Sequence, residues 1–289
     1  MTTWLPVATN LGGVIETPEL ADTPFRLDPD GRPYVPTGDG GIVLGVRLGD
    51  GVFATDADHA APGACLVHPE QAARHALTSY ACLGNPVTVR TGAAAGERGV
   101  VLGKRGELGR VIACFAPDVL ARLAPTDAVV VRGYGQGARL PGPVADRVEL
   151  RNIAPGALAL LPVDANGDRV DVSVRATIGS YMIGNGVGRP IEQWDLDVQV
   201  DAGTAPALGL TGLALGDLLA VDDLDVRHNA GYRRGYRTIG IVVHGGSPRP
   251  GHGPGLMPIL CGPAEAFDVR VDAGHRGLTE AALLGYGER

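Results

Sequence analysis

Forty-four glycines and 22 prolines are spread along 289 residues, roughly double the ordinary share of these two residue types. That density breaks the chain every few positions and leaves little room for long helices. It favours short strands joined by tight turns. Aromatic residues make up only 4%, while 45% of the chain is apolar, enough for a real core in one large or two modest domains. No apolar run reaches the ~18 residues of a spanning helix. A net charge of -7 argues against a general binder of nucleic acid or membrane surface. Lys104 is the only lysine. The N-terminal MTTWLPVATNLGG has no basic residue before Arg26 and no apolar core, so it does not read as a secretory signal. Cysteines at 65, 82, 114 and 261 form no C-x-x-C pair. Four reduced core thiols in a cytoplasmic protein is the expected reading.

The expected fold is α+β, mostly short antiparallel strands, with a small KOW/SH3-like β-barrel within a larger mixed body. Four β-rich runs with glycine turns (VTVRTG, RGVVLG, RVIACF, DAVVVRGYG) place the barrel at 87–135. Residues 1–86 and 136–289 then form a discontinuous main body. In it, 28–41 reads as consecutive turns and IVLGVRL (42–48) as a strand. HPEQAARHALTSYACLG (68–84) reads as a helix, as do short stretches at 117–127, 154–164 and in the first part of 208–223. YRTIGIVVHG (236–245) is the clearest buried strand, and LMPILCG another. No internal repeat or heptad pattern is present. The barrel lacks an aromatic stacking platform and a basic stripe, so it reads as scaffold.

Of seven histidines, His59, His228, His244 and His252 lie among Gly, Asp and Pro rather than in periodic segments. In GVFATDADHAAPG (51–63), Asp56 and Asp58 project to one side of an extended chain and His59 to the other. An Asp beside a His orients the ring and raises its basicity; the plain alternative is an Asx turn at the surface. The stretch 222–255 carries Arg227, Arg233, Arg234, Arg237 and Arg249, whose planar guanidinium groups suit carboxylate, phosphate or sulfate. It also carries Gly253 and neighbouring glycines that let backbone N–H groups approach a ligand; the plain alternative is an exposed, salt-bridged hairpin. IGSYMIGNGVG (178–188), with Asn185, is a tight loop but no dinucleotide fingerprint; Walker A and G-x-S-x-G are also absent. Asp195 and Asp197, alternating in QWDLD, read as ordinary solvated carboxylates.

Taken in order, ADHAAPG (57–63), CLGNP (82–86), TGAAAGERGVVLGKRG (91–106), GYGQGARL (133–140), YMIGNGVG (181–188) and DLDVRHNAGYRRGYRTIGIVVHGG…GHGPG resemble the DUF4438 family over roughly residues 35–260. Two positions depart from the family pattern. Arg105 stands where G-K-H-G has histidine, and Gly245 follows the V-V-H where serine is usual. One branch of that family resembles ring-closing enzymes of natural-product biosynthesis, which form an aziridine or azabicycle as an amine displaces a sulfate ester beside a sulfotransferase-like partner. The resemblance implies Asp58 and His59 as the catalytic base. Arg227, Arg233, Arg237, His244, His252, Gly253, Asn185 and Tyr236 would bind a small anionic amine, the sulfated intermediate. No metal and no cofactor would be needed. One alternative is a metal-dependent hydrolase of a cyclic amide or related C–N bond, using Asp58, His59, His244 and His252, although no tight zinc spacing such as H-E-x-x-H is present. The other is a non-enzymatic ligand- or protein-binding module.

Overall fold

The computed structural model describes residues 7–18, 25–35, 40–55, 57–106, 109–165, 167–274 and 277–287. Asp56 and His275 lie outside them. Six strands close into a barrel: β1 (Ala8–Ile15), β2 (Gly63–Val67), β3 (Pro86–Val89), β4 (Arg98–Arg105), β5 (Arg110–Phe115) and β6 (Ala128–Tyr134). The ring runs β1-β6-β3-β4-β5-β2 and returns to β1, all antiparallel, with Ile42–Val43 attached to β2. The barrel therefore reaches beyond 87–135: β1 and β2 come from the N-terminal flank. Four strands alone would leave two open edges, and closure removes them. Helix α1 (Gln71–Tyr80) lies where a helix is expected and sends Leu77 into the barrel core with Ile15, Leu66, Val101 and Val129.

Six further strands follow: β7 (Val170–Val174), β8 (Ala176–Gly179), β9 (Leu218–Asp225), β10 (Gly231–His244), β11 (Gly255–Pro263) and β12 (Phe267–Val271). A second sheet has the order β11-β10-β9-β8, with Glu149–Leu150 and Leu196–Asp197 both on β11; only β8 and β9 run parallel. β7 pairs with β12 and Val163–Asp164 in a small third sheet. β4 and β5 are buried along nearly their whole length, their apolar stretches enclosed together with Lys104, Arg105 and Arg110. Barrel and second sheet meet closely at Gly103, where a Cβ would lie 2.6 Å from Val243 Cγ1.

Local expectations differ in places. Only Ile42–Val43 of IVLGVRL is strand; Val46 and Leu48 are buried from a loop instead. The stretch 154–164 is a 3-10 helix (Pro155–Leu160) followed by an edge strand. The helix expected at the start of 208–223 is absent: a 3-10 turn, Ala205–Leu208, comes just before it, and turns lead from there to β9. The stretch 117–127 keeps one helical turn, Pro117–Leu120. The glycine and proline density decides these cases, because a helix shorter than about three turns cannot offset its nucleation cost without packing. Among the described residues, no helix is long and apolar enough to cross a membrane.

Candidate functional site

Four segments converge where the barrel meets the second sheet. The turn before β2 supplies Asp58 and His59. Its backbone is clipped to the chain after β10: His59 N–H donates to Gly246 O (2.9 Å), and Gly245 N–H donates to Ala60 O (2.8 Å). His59 has φ of 54°, a left-handed conformation costing a non-glycine residue ~1–2 kcal/mol, and these clips hold it there. β10 ends at His244, and the loop before β11 brings His252. Asp197 pairs with Gly255, which in turn pairs with His244. Gly255 thus sits in the middle of a three-strand rung. A Cβ there would lie 2.0 Å from His244 Nε2 and 2.6 Å from Asp195 Oδ2. Only glycine lets those two side chains meet above it. Gly253 is equally constrained, 1.8 Å from Val198 O once a Cβ is added. Asn185 joins through its backbone, with N–H to Gly251 O (2.9 Å) and C=O from Asp197 N–H (3.0 Å).

The ring centroids of His59 and His244 are 5.1 Å apart, and those of His59 and His252 5.0 Å. Positions almost 200 residues apart therefore share one centre. His59 Nε2 lies 3.1 Å from His252 Nδ1, and His252 Nδ1 lies 2.9 Å from Asp197 Oδ2. Asp197 Oδ1 is 3.6 Å from His244 Nε2 and 4.0 Å from His59 Nε2; buried, it accepts no hydrogen bond. His244 Nε2 contacts Asp195 Oδ2 at 2.8 Å, while its Nδ1 faces Gly245 O at 2.9 Å. Both partners are acceptors, so in this arrangement both ring nitrogens of His244 carry protons. His59 and His244 are 1% exposed, Asp195 and Asp197 4%. The two aspartates are thus site residues rather than solvated carboxylates. Their spacing of two along an extended segment was the available signal, and it cannot reveal which face is covered.

Asp58 is the meeting point of a second shell. Its Oδ1 lies 2.7 Å from His59 Nδ1, close but off the ring N–H direction, so the contact acts chiefly through charge. Oδ1 also accepts from Ser247 Oγ (2.7 Å), and Oδ2 from Arg26 Nη1 (2.8 Å) and Tyr34 OH (3.4 Å). Arg26 and Tyr34 are register partners in a two-residue hairpin, Arg26–Leu27 with Pro33–Tyr34, which roofs the carboxylate. Sequence reasoning did not find Arg26, Tyr34 or Ser247, because nothing local marks a residue that reaches across the fold.

Charge is strongly sorted here. Burial alone would raise Asp58, but His59, Ser247 and Arg26 outweigh it and hold the carboxyl well below its usual range. Burial pushes His59 down, and the positive charges of Arg105 and His244 reinforce burial against Asp58 and Asp197. His244 goes the other way: burial would lower it, yet Asp195 and Asp197 raise it. Asp195 is lowered against its burial by His244, the Gly106 N–H and Arg105. Burial and the Asp58 charge push the Tyr34 phenol up to about 12. Arg105, at the position where a family histidine was missed, is 1% exposed and acts electrostatically on all three inner groups.

The arginines expected to bind substrate are elsewhere. Arg227 and Arg233 both pair with Asp225 and stack on Tyr236, 4.4 and 4.0 Å from its ring centroid. Arg237 pairs with Asp222. Arg237 precedes His244 by seven residues of β10, about 23 Å at ~3.3 Å per residue. Arg227, Arg233, Arg237 and Tyr236 therefore form a carboxylate-paired surface cluster outside the histidine centre. His228 is exposed.

The crystal structure of TM1086 is similar to this chain: TM-score 0.89 and 29% identity, over 94% of this chain and 95% of that one. No curated protein matches. Residues 25–159 match the family model for the N-terminal domain of unknown function DUF4438, and residues 160–276 match its C-terminal counterpart. The two matches are contiguous and cover the second sheet and every barrel strand except β1, and the chain belongs to the DUF4438 family.

Proposed function

We propose that the chain is a small-molecule enzyme that closes a C–N ring by intramolecular displacement of a sulfate ester. The observation that carries this reading is the pair of histidines 5.1 Å apart, one pushed towards the neutral form by burial and the other towards the charged form by Asp195 and Asp197. Groups whose environments drive their protonation apart are suited to base and cationic roles in one reaction. Asp58 faces Nδ1 of His59, and Nε2, 3.1 Å from His252 Nδ1, is the nitrogen that takes the proton once the substrate displaces that contact. An alkylammonium substrate has a pKa near ~10 and must lose a proton before it attacks. In the reaction the amine nitrogen bonds to the carbon bearing the ester as the C–O bond breaks. The proton goes to His59, and sulfate leaves with the electron pair. The glycine-rich loop carrying His252 and Gly253 takes over the anion-facing role first assigned to the arginines, while the His244 imidazolium, whose N–H groups face Asp195 and Gly245, contributes positive charge and no hydrogen bond. Locking the amine in line behind the leaving group supplies several kcal/mol. Natural-product biosynthesis and a sulfotransferase-like partner belong to this reading.

The test is incubation with a sulfated vicinal amine, with and without the partner, followed by mass detection of the ring-closed product and free sulfate. Turnover lost in both Asp58→Asn and His59→Ala supports the proposal; turnover retained in either refutes it. A metal-dependent hydrolase of a cyclic amide is the second reading, favoured by one observation: the Asp197 oxygen set among imidazole nitrogens without a hydrogen bond.

A further inference from the structure

We propose that His59, His252 and Asp197 form a binding site for one divalent first-row transition-metal ion, zinc being the best fit. A zinc ion with bonds of ~2.0–2.1 Å to nitrogen and oxygen holds tetrahedral ligands about 3.3–3.4 Å from one another. Here the separations are 3.1 Å (His59 Nε2 to His252 Nδ1), 2.9 Å (His252 Nδ1 to Asp197 Oδ2) and 4.0 Å (His59 Nε2 to Asp197 Oδ1). The two carboxylate distances belong to different Asp197 oxygens; with one atom taken from each residue the three donors lie within 4.8 Å of one another, so a small carboxylate rotation sets the required edges.

Two independent features point to an ion rather than to a simple hydrogen-bond cluster. Asp197 is 4% exposed, yet its Oδ1 accepts no hydrogen bond, an arrangement that is costly for a buried carboxylate. Asp58 lies against the far nitrogen of His59 at 2.7 Å. The contact lies off the ring N–H direction, so the carboxylate acts on this imidazole through its charge, raising its basicity as carboxylates behind metal-binding histidines do. Asp195, Asp197 and His244 make a second, overlapping group. That group is buried throughout, whereas the first opens at His252, whose side chain is 10% accessible, so we assign the ion to the first group. Two imidazoles and one carboxylate leave a coordination position open. With the buried Arg105 cation near His59 and His244, that position favours an anionic ligand.

The inference rests on ligand geometry and is independent of ring closure. A bound ion takes the His59 lone pair that ring closure needs, so the two are alternative states of one centre. The experiment is calorimetric titration of chelator-treated, dialysed protein with Zn²⁺, without substrate, paralleled by Co²⁺ and visible absorption. About one Zn²⁺ per chain is expected, with a tetrahedral Co²⁺ absorption band. His252→Ala and Asp197→Asn should each weaken binding at least ten-fold and abolish the band. Asp58→Asn should weaken it about 10–100-fold, and His75→Ala, on the exposed face of α1, should change nothing. His252 is the most exposed of the ligands, its side chain 10% accessible, so its removal tests the site even where Asp197→Asn fails to fold. Absence of saturable binding to the wild-type protein overturns the inference, as does equal affinity in His252→Ala. Zinc binding absent while sulfate is still released overturns this inference alone; zinc binding present, with no ring closure by the metal-free protein, overturns only the proposed reaction.

Discussion

Replacing Lys104 with methionine should change how stability depends on pH, in a direction the structure fixes. The Lys104 ammonium is completely buried on β4. It donates to Glu192 O (2.6 Å), Asn152 Oδ1 (2.8 Å) and Ser79 O (3.3 Å), joining the barrel to the segment that carries Asp195 and Asp197. Burial pulls its pKa from 10.5 down to about 8, against Cys82 and Glu192. A lowered pKa means that the unfolded chain binds more protons between those two values, so this group makes stability rise with pH there. At 1.36 kcal/mol per unit the full effect is about 3 kcal/mol, of which about 1.3 kcal/mol is realised between about pH 7 and about pH 9. Three buried thiols act in the opposite sense. Burial raises Cys82 and Cys261 to about 11 and Cys114 to about 12, from 9.0, and each costs stability as pH climbs past the unfolded value. Comparing the wild type with Lys104→Met cancels Cys114 and Cys261, and leaves Cys82 raised further by loss of the Lys104 charge, which adds to the variant's loss of stability only above the unfolded thiol value. Methionine leaves Glu192 O without its donor, at a cost of ~1–3 kcal/mol, whereas Asn152 Oδ1 keeps Gln136 Nε2 at 2.8 Å. Urea unfolding of both proteins at the two pH values should show the wild type gaining about 1.3 kcal/mol on the variant at the higher pH. An unchanged or reversed difference would refute the reasoning.

Gly255→Ala places a methyl group 2.0 Å from His244 Nε2. It should cost about 1–3 kcal/mol and break the His244–Asp195 contact, seen as a lowered melting temperature and a shifted imidazole resonance; an unperturbed His244 signal would contradict the rung geometry. At position 59, where φ is 54°, glycine should be more stable than alanine by about 1 kcal/mol, read by denaturant midpoint, and equal midpoints would remove the claim of strain. Arg26→Ala takes from Asp58 the charged one of its two partners in the roofing hairpin. Amide exchange in residues 26–34 should accelerate and the Asp58 carboxyl should titrate higher; unchanged exchange would show that the hairpin is held by other contacts.

Much of this fold can be read in the residues. β4, β5 and β6 are β-rich runs bounded by glycines, α1 is an alanine-rich amphipathic stretch, and β10 is a β-branched run ending in a histidine. Each is a local signal that local backbone preference suffices to realise. The motifs around His59 and around 244–255 were also legible as segments. Barrel closure was not, because β1 and β2 are brought to the ring by pairing over long sequence distances. The same limit governs the site. Asp195 and Asp197 have the same alternation whether they face water or a core, and only the pairing of Asp197 with Gly255 and of Gly255 with His244 settles the matter. Arginines at 227, 233 and 237 carry charge suited to an anionic substrate, but a sequence does not say which carboxylates stand beside them, and Asp225 and Asp222 do. The sequence alone determined short strands, reduced helix content and the residue types capable of acid–base or metal chemistry. The tertiary structure decided which of those residues meet, because burial and charge pairing depend on distances through space that chain separation leaves open.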